Sequence, residues 1–372
     1  MSAKTSTYYD RAFAEVKRLS LAGLEGSELL RRVAQSLELA VPFETYGAST
    51  LDPATNLMTY FVGEGLDERD CATALDAWLD RVYFEEDLPW IASMLRERRP
   101  VALFSEATEG ELERSARYRE LLRPFGFTHE LDSIFVDGSA WGRMDLVRGA
   151  RDSDFSYREV ELVRRVIPHV SAGLKAAVLR SEASIEPAAN DAPGVLTLDR
   201  DGRVLSHTPT VGWLLTELGK RDPNWVGLPV AVGMVANAVR WALAPTSDQG
   251  LDCVPKVRVR GRSGRWLALY ASLTEPSNGR PSETVVVIEP AKPEEVAWLN
   301  AAAYGLSLRE EEVVKLVVRG FSTKQISRTL FISENTVQRH LSNVFEKVGV
   351  RSRRELVKRL FFDNLLPDML GD

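Results

Sequence analysis

Asn335, Gln338, Arg339 and Ser342 follow one another at steps of three, one and three. On a helix those steps put four hydrogen-bonding side chains on one face. Asparagine and glutamine can offer an adenine edge a paired donor and acceptor, arginine can offer guanine two parallel donors, and serine can meet either. Such a row has the chemistry of base reading in a major groove, provided that a helix carries it and that its other face is anchored. Val337, Leu341, Val344 and Val348, at intervals of four, three and four, supply the anchoring stripe. Ser333 stands where it can cap this helix, with Glu334 at the first position, where the helix dipole favours acid. Upstream, Ser322 caps a shorter helix over 323–330. Ser307 caps another, which carries Glu310, Glu311 and Glu312 in its opening turn and ends at Gly320. Two short helices joined across Phe331 and Ile332 form a helix-turn-helix. Thr323, Lys324, Thr336 and Arg353 lie at helix starts or flanks, from which side chains and amides grip phosphates.

Charge supports this reading over that of a merely solvated helical bundle. From Ser307 to Arg359 there are 12 Lys and Arg against 6 Asp and Glu, a net of +6 in a 372-residue chain of net −6, which leaves −12 elsewhere. A basic terminal module on an acidic body is the electrostatic footprint of a nucleic-acid binder.

The stretch from about Gly305 to Asp363 resembles the C-terminal DNA-binding domain of the LuxR family of transcription regulators. The resemblance rests on "SLREEEVVKLV", Gly320, "KQIS", "ISENTVQRH" and the closing "VRSRRELV". It implies double-stranded promoter DNA as partner, a homodimer that reads paired half-sites, and contact with RNA polymerase. Thr323 stands where the family often has Asn, and Gln338 where it commonly has Lys. Thr323 can still donate to a phosphate. Gln338 exchanges a charge for a paired contact to adenine, which alters operator sequence rather than DNA binding.

With 372 residues, 44% of them hydrophobic, the chain is long enough for two or three domains with folded cores. No run of 18 apolar residues predicts a membrane span, and the N-terminus lacks the apolar stretch of a signal peptide, so a cytoplasmic protein with no membrane partner is expected. Cys71 and Cys253, far apart and without ligand-spaced neighbours, predict neither a disulfide framework nor a zinc site. None of His129, His169, His207 and His340 has a metal-binding partner at helical spacing, so no metal is expected. Hydrolase elbows, Walker loops and dinucleotide fingerprints are absent, so no catalytic residue and no cofactor is expected and the chain reads as a non-enzyme.

The elements that must position the reading helix fall into modules. Residues 1–182 read as helices over 9–19 and 27–39, strands over 45–51 and 57–62, helices near 68–84, 88–98 and 110–122, a hairpin of 130–136 with 140–147, and a long helix over 157–180. This order resembles a GAF-like sensor domain, through "YRELLRPFGFTHELDSIFVDGSAWGRMDLVR" and "IPHVSAGLKAAV". Residues 183–193 read as a linker. Residues 194–290, opening "LDRDGRV", give two strands, helices and three strands, which resembles a PAS-like domain. A connector over 291–304 leads to the module at 305–372. The expected class is thus multidomain: an α+β GAF-like domain, an α+β PAS-like domain and an all-α helix-turn-helix domain.

Tyr46, Tyr60, Trp78, Tyr83, Trp90 and Trp141 crowd the first module, with Asp87 and Arg143 as polar groups among them. Two readings stand: an apolar pocket for an unknown small-molecule effector, or ordinary core packing. On the long helix Val160, Val163, Ile167, Val170, Leu174 and Val178 form a seam that can serve both its own sheet and self-association, and Pro168 is expected to kink it. The expected function is a signal-controlled, promoter-binding regulator. The alternative is a DNA-binding regulator whose N-terminal domains are interaction or dimerisation modules without ligand. A promoter-recognition subunit of RNA polymerase would need a basic, helical upstream region, whereas this one is acidic and contains strands.

Overall fold

The computed structural model describes residues 3–66, 70, 74, 75, 77–180, 192–219, 227–242, 255–276 and 282–362. Two antiparallel five-stranded sheets and a helical C-terminal region make up the described chain. One compact unit runs to Ala177 and takes in the second sheet up to Pro290; the other begins again at Ala291.

In the first unit, α1 (Ala3–Ser20) and α2 (Gly26–Leu37) precede β1 (Thr45–Leu51) and β2 (Met58–Glu64). The turn between these strands is set by Asp52, whose Oδ1 accepts from Ala54 N at 2.9 Å, and by Asn56, which takes a left-handed φ of 58°. A wide, π-type helix α3 (Trp78–Asp87) runs straight into α4 (Leu88–Glu97). Part of the helix expected near 68–84 lies outside the described residues. A three-residue strand β3 (Val101–Leu103) and a single turn α5 (Phe104–Ala107) follow; neither has a sequence pattern long enough to predict it. The helix expected over 110–122 is broken into a short turn at Leu112–Arg114 and a wide turn at Tyr118–Leu122. The cause is local: Glu86 accepts from the backbone N–H of Ala116 and Arg117 and from the Ser115 hydroxyl, so the chain is held before a continuous helix can form.

β4 (Phe127–Asp137) and β5 (Ser139–Gly149) form the expected hairpin, extended at both ends and turning at Gly138 (φ 75°). The sheet order is β2-β1-β5-β4-β3. The long helix α6 (Tyr157–Leu179) contains Pro168 and turns Val163, Ile167, Val170 and Leu174 into the core. Gly173 allows this approach, since a Cβ there would stand 2.7 Å from Leu29 and 3.0 Å from the Ser20 carbonyl. Most of the seam considered for self-association is therefore used internally, and only Val160 and Val178 remain half-buried.

The second sheet repeats the same permutation: β7-β6-β10-β9-β8. Its strands are β6 (Gly194–Leu198), β7 (Val204–His207), β8 (Lys256–Arg260), β9 (Trp266–Leu273) and β10 (Thr284–Pro290), with α7 (Val211–Leu218) and α8 (Val230–Ala242) between β7 and β8. The two sheets are tied within the unit. Asp52, buried, accepts from Arg258 N at 2.9 Å and from its Nη1 at 3.0 Å, and Asn237 of α8 donates to the Leu79 carbonyl of α3 at 2.9 Å.

The second unit holds α9 (Pro293–Ala303), α10 (Leu308–Val318), α11 (Thr323–Leu330), α12 (Glu334–Val348), α13 (Arg353–Val357) and a closing wide turn, Lys358–Phe362. Its core gathers Val313, Val317, Ile326, Val337, Leu341, Val344, Leu356 and Leu360. Burying each such aliphatic side chain contributes about 1.5–3 kcal/mol, enough in sum to hold short helices together.

Candidate nucleic-acid interface

Capping fixes where each helix of the second unit begins. Ser307 accepts from Glu310 N at 3.3 Å while Glu310 accepts from Ser307 N at 2.7 Å, a reciprocal capping box. Ser322 and Gln325 repeat it for α11 at 3.3 and 2.8 Å. Ser333 accepts from Thr336 N at 3.1 Å and starts α12, and Ser352 accepts from Glu355 N at 3.1 Å and starts α13. Gly349, in the left-handed region at φ 73°, ends α12.

On α12 Val337, Leu341, Val344 and Val348 are buried, and Asn335, Gln338, Arg339 and Ser342 are exposed. The structure thus places the four residues singled out for base reading on one solvent face. Gln338 Nε2 donates to Thr323 Oγ1 at 3.4 Å, so the start of α11 borders this row. Lys324 is exposed beside Thr323, and the Thr336 hydroxyl lies 2.8 Å from Ser333 Oγ at the start of α12.

Arg353 behaves differently. Its Nη2 donates to the carbonyls of Phe321 and, at 3.3 Å, Val317, closing the end of α10, and burial lowers its affinity for protons. Its placement makes it a helix staple rather than an outward phosphate contact. Two further cations turn inward: Arg309 donates to the Leu330 carbonyl at 2.7 Å, and Lys347 bridges Glu310 at 2.7 Å and the Gly305 carbonyl at 3.0 Å. Residue counting put all three in the DNA footprint. Arg319, Lys324, Arg328, Arg339, Arg351 and Arg354 are exposed around α11 and α12, and Lys347 keeps part of its side chain in solvent. Phe331, in the turn between these helices, is 94% exposed at a left-handed φ of 54°, and nothing in its residue type signals that conformation.

In the first unit the aromatic residues separate into different surroundings. Tyr46 and Trp78 line a cavity of about 110 Å³ with Gly47, Phe61, Gly63, Arg117, Glu130 and Asp145. Trp90 lines a second, more open cavity of about 530 Å³, with Asp87, Phe104, Arg117 and Asp132. Tyr60, Tyr83 and Trp141 line neither. Tyr60 donates to the Arg260 carbonyl, Tyr83 is fully buried and donates to the Asn56 carbonyl at 2.5 Å, and Trp141 donates to the Asp137 carbonyl at 3.2 Å.

Asp87 and Arg143 belong to a buried network. Arg143 lies 3.0 Å from Asp87, 3.2 Å from Asp132 and 2.8 Å from Asp145; Arg117 pairs with Asp87 and Glu130. Trp78 donates its indole N–H to Asp87, and both guanidinium groups lie over its ring, at 5.2 and 5.9 Å from the centroid. Burial pushes Asp132 well above the usual carboxylate range, and the Glu130 carboxylate adds to the rise. Glu130 is also raised, by burial. Burial opposes ionisation of Asp145 as well, but Arg143 and Arg117 outweigh it and hold this carboxyl low. Sequence reading overlooked Arg117, Glu130, Asp132 and Asp145. The three carboxylates left a signal, Glu130 two from Asp132 on β4 and Asp145 two from Arg143 on β5, where alternation aims each pair at one face; Arg117, in a turn, left none.

Residues 305–360 match the family described as bacterial regulatory proteins, luxR family. The spore germination protein GerE of Bacillus subtilis is 47% identical over 55 residues, which cover 15% of this chain and 74% of that protein. The CsgBAC operon transcriptional regulatory protein of Escherichia coli is 46% identical over 52 residues, but this chain spans only 24% of its length. Among solved structures, the Vibrio cholera VqmA–ligand–DNA complex covers 47% of this chain and 85% of its own at 19% identity, with a TM-score of 0.21 that is too low to support an argument. By its C-terminal unit the chain belongs to the luxR family of bacterial regulatory proteins and is a LuxR-type DNA-binding transcription regulator.

Proposed function

We propose that this regulator is cytoplasmic and non-enzymatic, binds promoter DNA as a homodimer and contacts RNA polymerase there, and is governed by a signal sensed in its two sheet modules. The observation that carries the DNA-reading part is the row Asn335, Gln338, Arg339 and Ser342, exposed on a capped helix whose opposite face is buried. A helix so anchored presents its outer side chains to base edges with little conformational freedom left to lose. Two copies related by a two-fold axis would read paired half-sites. The first sheet module, read as GAF-like, has a cavity bounded by strand and helix residues, and we assign effector binding to it. The second, read as PAS-like, shares the strand permutation of the first and is tied to α3, so it can pass on a change there. An effector acts only through different affinity for two arrangements of the dimer.

The experiment is selection of duplex sequences by the full chain, followed by titration and native mass spectrometry. The expected result is an inverted repeat bound by two protomers, with Gln338→Ala and Arg339→Ala each costing about 1–3 kcal/mol at that site. A single half-site bound by one protomer would refute the dimer reading.

A further inference from the structure

The network beside the smaller cavity is unbalanced. Arg117 and Arg143 face four carboxylates, Asp87, Glu130, Asp132 and Asp145, and all six residues are at most 6% exposed. A surplus carboxylate out of water must take up a proton or meet a cation. Protons meet part of that surplus, since burial holds them more tightly on Asp132 and Glu130, and of the four carboxylates Glu130 and Asp145 reach the cavity of about 110 Å³. The three carboxylates Glu130, Asp132 and Asp145 come close enough together to hold a metal ion. That position is taken by Arg117, whose Nη2 pairs with Glu130 and lies 3.6 Å from Asp132 and 3.5 Å from Asp145. The cavity side of Glu130 and Asp145 is what remains for a further cation.

Part of the lining is aromatic, with Phe61 and Trp78 set edge to face at 5.6 Å. Glycines keep the space open: a Cβ at Gly47 would stand 3.1 Å from the Phe61 ring, and one at Gly63 would stand 2.9 Å from the Tyr46 carbonyl. Ser49, two residues on from Gly47 and so on the same face of β1, is 1% exposed, and its hydroxyl has no hydrogen-bond partner among the described residues. A buried polar atom without a partner is costly and marks a place where a ligand or water belongs.

We propose that this cavity binds a small organic cation, an amine or amidine on a single ring or short chain. Its positive group rests against Glu130 and Asp145 and its apolar part against Phe61 and Trp78. The inference rests on the reading that the first sheet module senses a ligand, and it names the chemical class.

The test uses the full chain in thermal-shift and calorimetric titrations. The probes are matched sets: benzylamine with benzyl alcohol, benzamidine with benzamide, and benzoate as the anion. The expected result is that the cations raise Tm and bind at least about tenfold tighter than their neutral partners, with no response to benzoate. Glu130→Gln should remove most of that preference. Ala74→Phe, which fills the cavity while keeping all six charged residues, should abolish binding and leave promoter affinity unchanged. Neutral or anionic probes that bind as well as the cations, or cations that bind no better than neutral partners, overturn the proposal. Cation binding with no effect on promoter affinity would leave the site standing and sink the sensing reading. An anion that binds and changes promoter affinity would do the reverse.

Discussion

Arginines turn inward in both units of this protein, and they meet different partners. In the recognition unit Arg309 and Arg353 cap helix ends through carbonyls, and Lys347 closes on one carboxylate and one carbonyl. In the sheet unit Arg117 and Arg143 sit wholly inside, against four carboxylates. A cation that caps carbonyls at a half-exposed surface keeps part of its hydration, and removing it costs a helix end. Removing a cation from a buried network strands opposite charges without solvent. The first arrangement fixes a surface for DNA, and the second holds charge inside the sheet unit.

The largest expected effect follows from that contrast. Arg143→Ala should destabilise the sheet unit by about 3–5 kcal/mol in chemical denaturation, because Asp145 and Asp87 lose their guanidinium. Arg309→Ala, at a carbonyl cap, should cost only about 1 kcal/mol. Comparable losses at the two sites would erase the distinction. Backbone strain in the recognition unit gives a similar small figure of the opposite sign. Phe331→Gly should stabilise that unit by about 1 kcal/mol, since glycine meets no penalty at positive φ. A neutral or destabilising result would mean that the exposed ring makes a contact within the fold.

Acid should act on the two units with opposite sign. Burial pushes Glu310 up, but hydrogen bonds from Lys347 and Ser307 outweigh it and hold the carboxyl below its ordinary range. Its contribution is complete above the unfolded value of about 4.3 and is lost as pH falls through the lower folded value. Burial raises Asp132, so the fold holds its proton more tightly than the unfolded chain does. Its contribution is complete below the unfolded value of about 3.9 and is lost as pH rises through the folded value. Peptide-resolved pulse proteolysis across pH should show the recognition unit weakening in acid, an effect that Glu310→Gln removes. In the sheet unit Asp132→Asn should remove a loss that accompanies rising pH. The smallest effect concerns salt: Lys324→Ala should lower the slope of log affinity against log salt by about one and weaken all DNA sequences alike. A loss confined to one base position would make Lys324 a reader.

The recognition unit was legible because its signals are local. Ser307, Ser322 and Ser333 cap within three residues, and the spacing of Val337, Leu341, Val344 and Val348 sets the helical phase. The second sheet and four strands of the first could likewise be read from alternation and turn residues, including the Asp199–Gly202 turn, where Asp199 Oδ1 accepts from Asp201 N at 2.9 Å. The charge network was not legible as a network. Arg117 comes from a turn that Glu86 holds from 31 residues away, and neither composition nor period reports a contact of that range. The broken helix at 110–122 fails for the same reason. Its sequence favours a helix, and a distant carboxylate takes its backbone donors.

The account stands most directly on the outer face of α12. Titration of the full chain against its selected operator and against every single-base variant, for wild type, Gln338→Ala and Arg339→Ala, tests that face. The predicted result is that each substitution removes discrimination at its own base position in both half-sites and leaves affinity for unrelated DNA nearly unchanged. Undiminished discrimination at every position in both variants would contradict it and place the reading surface elsewhere on the molecule.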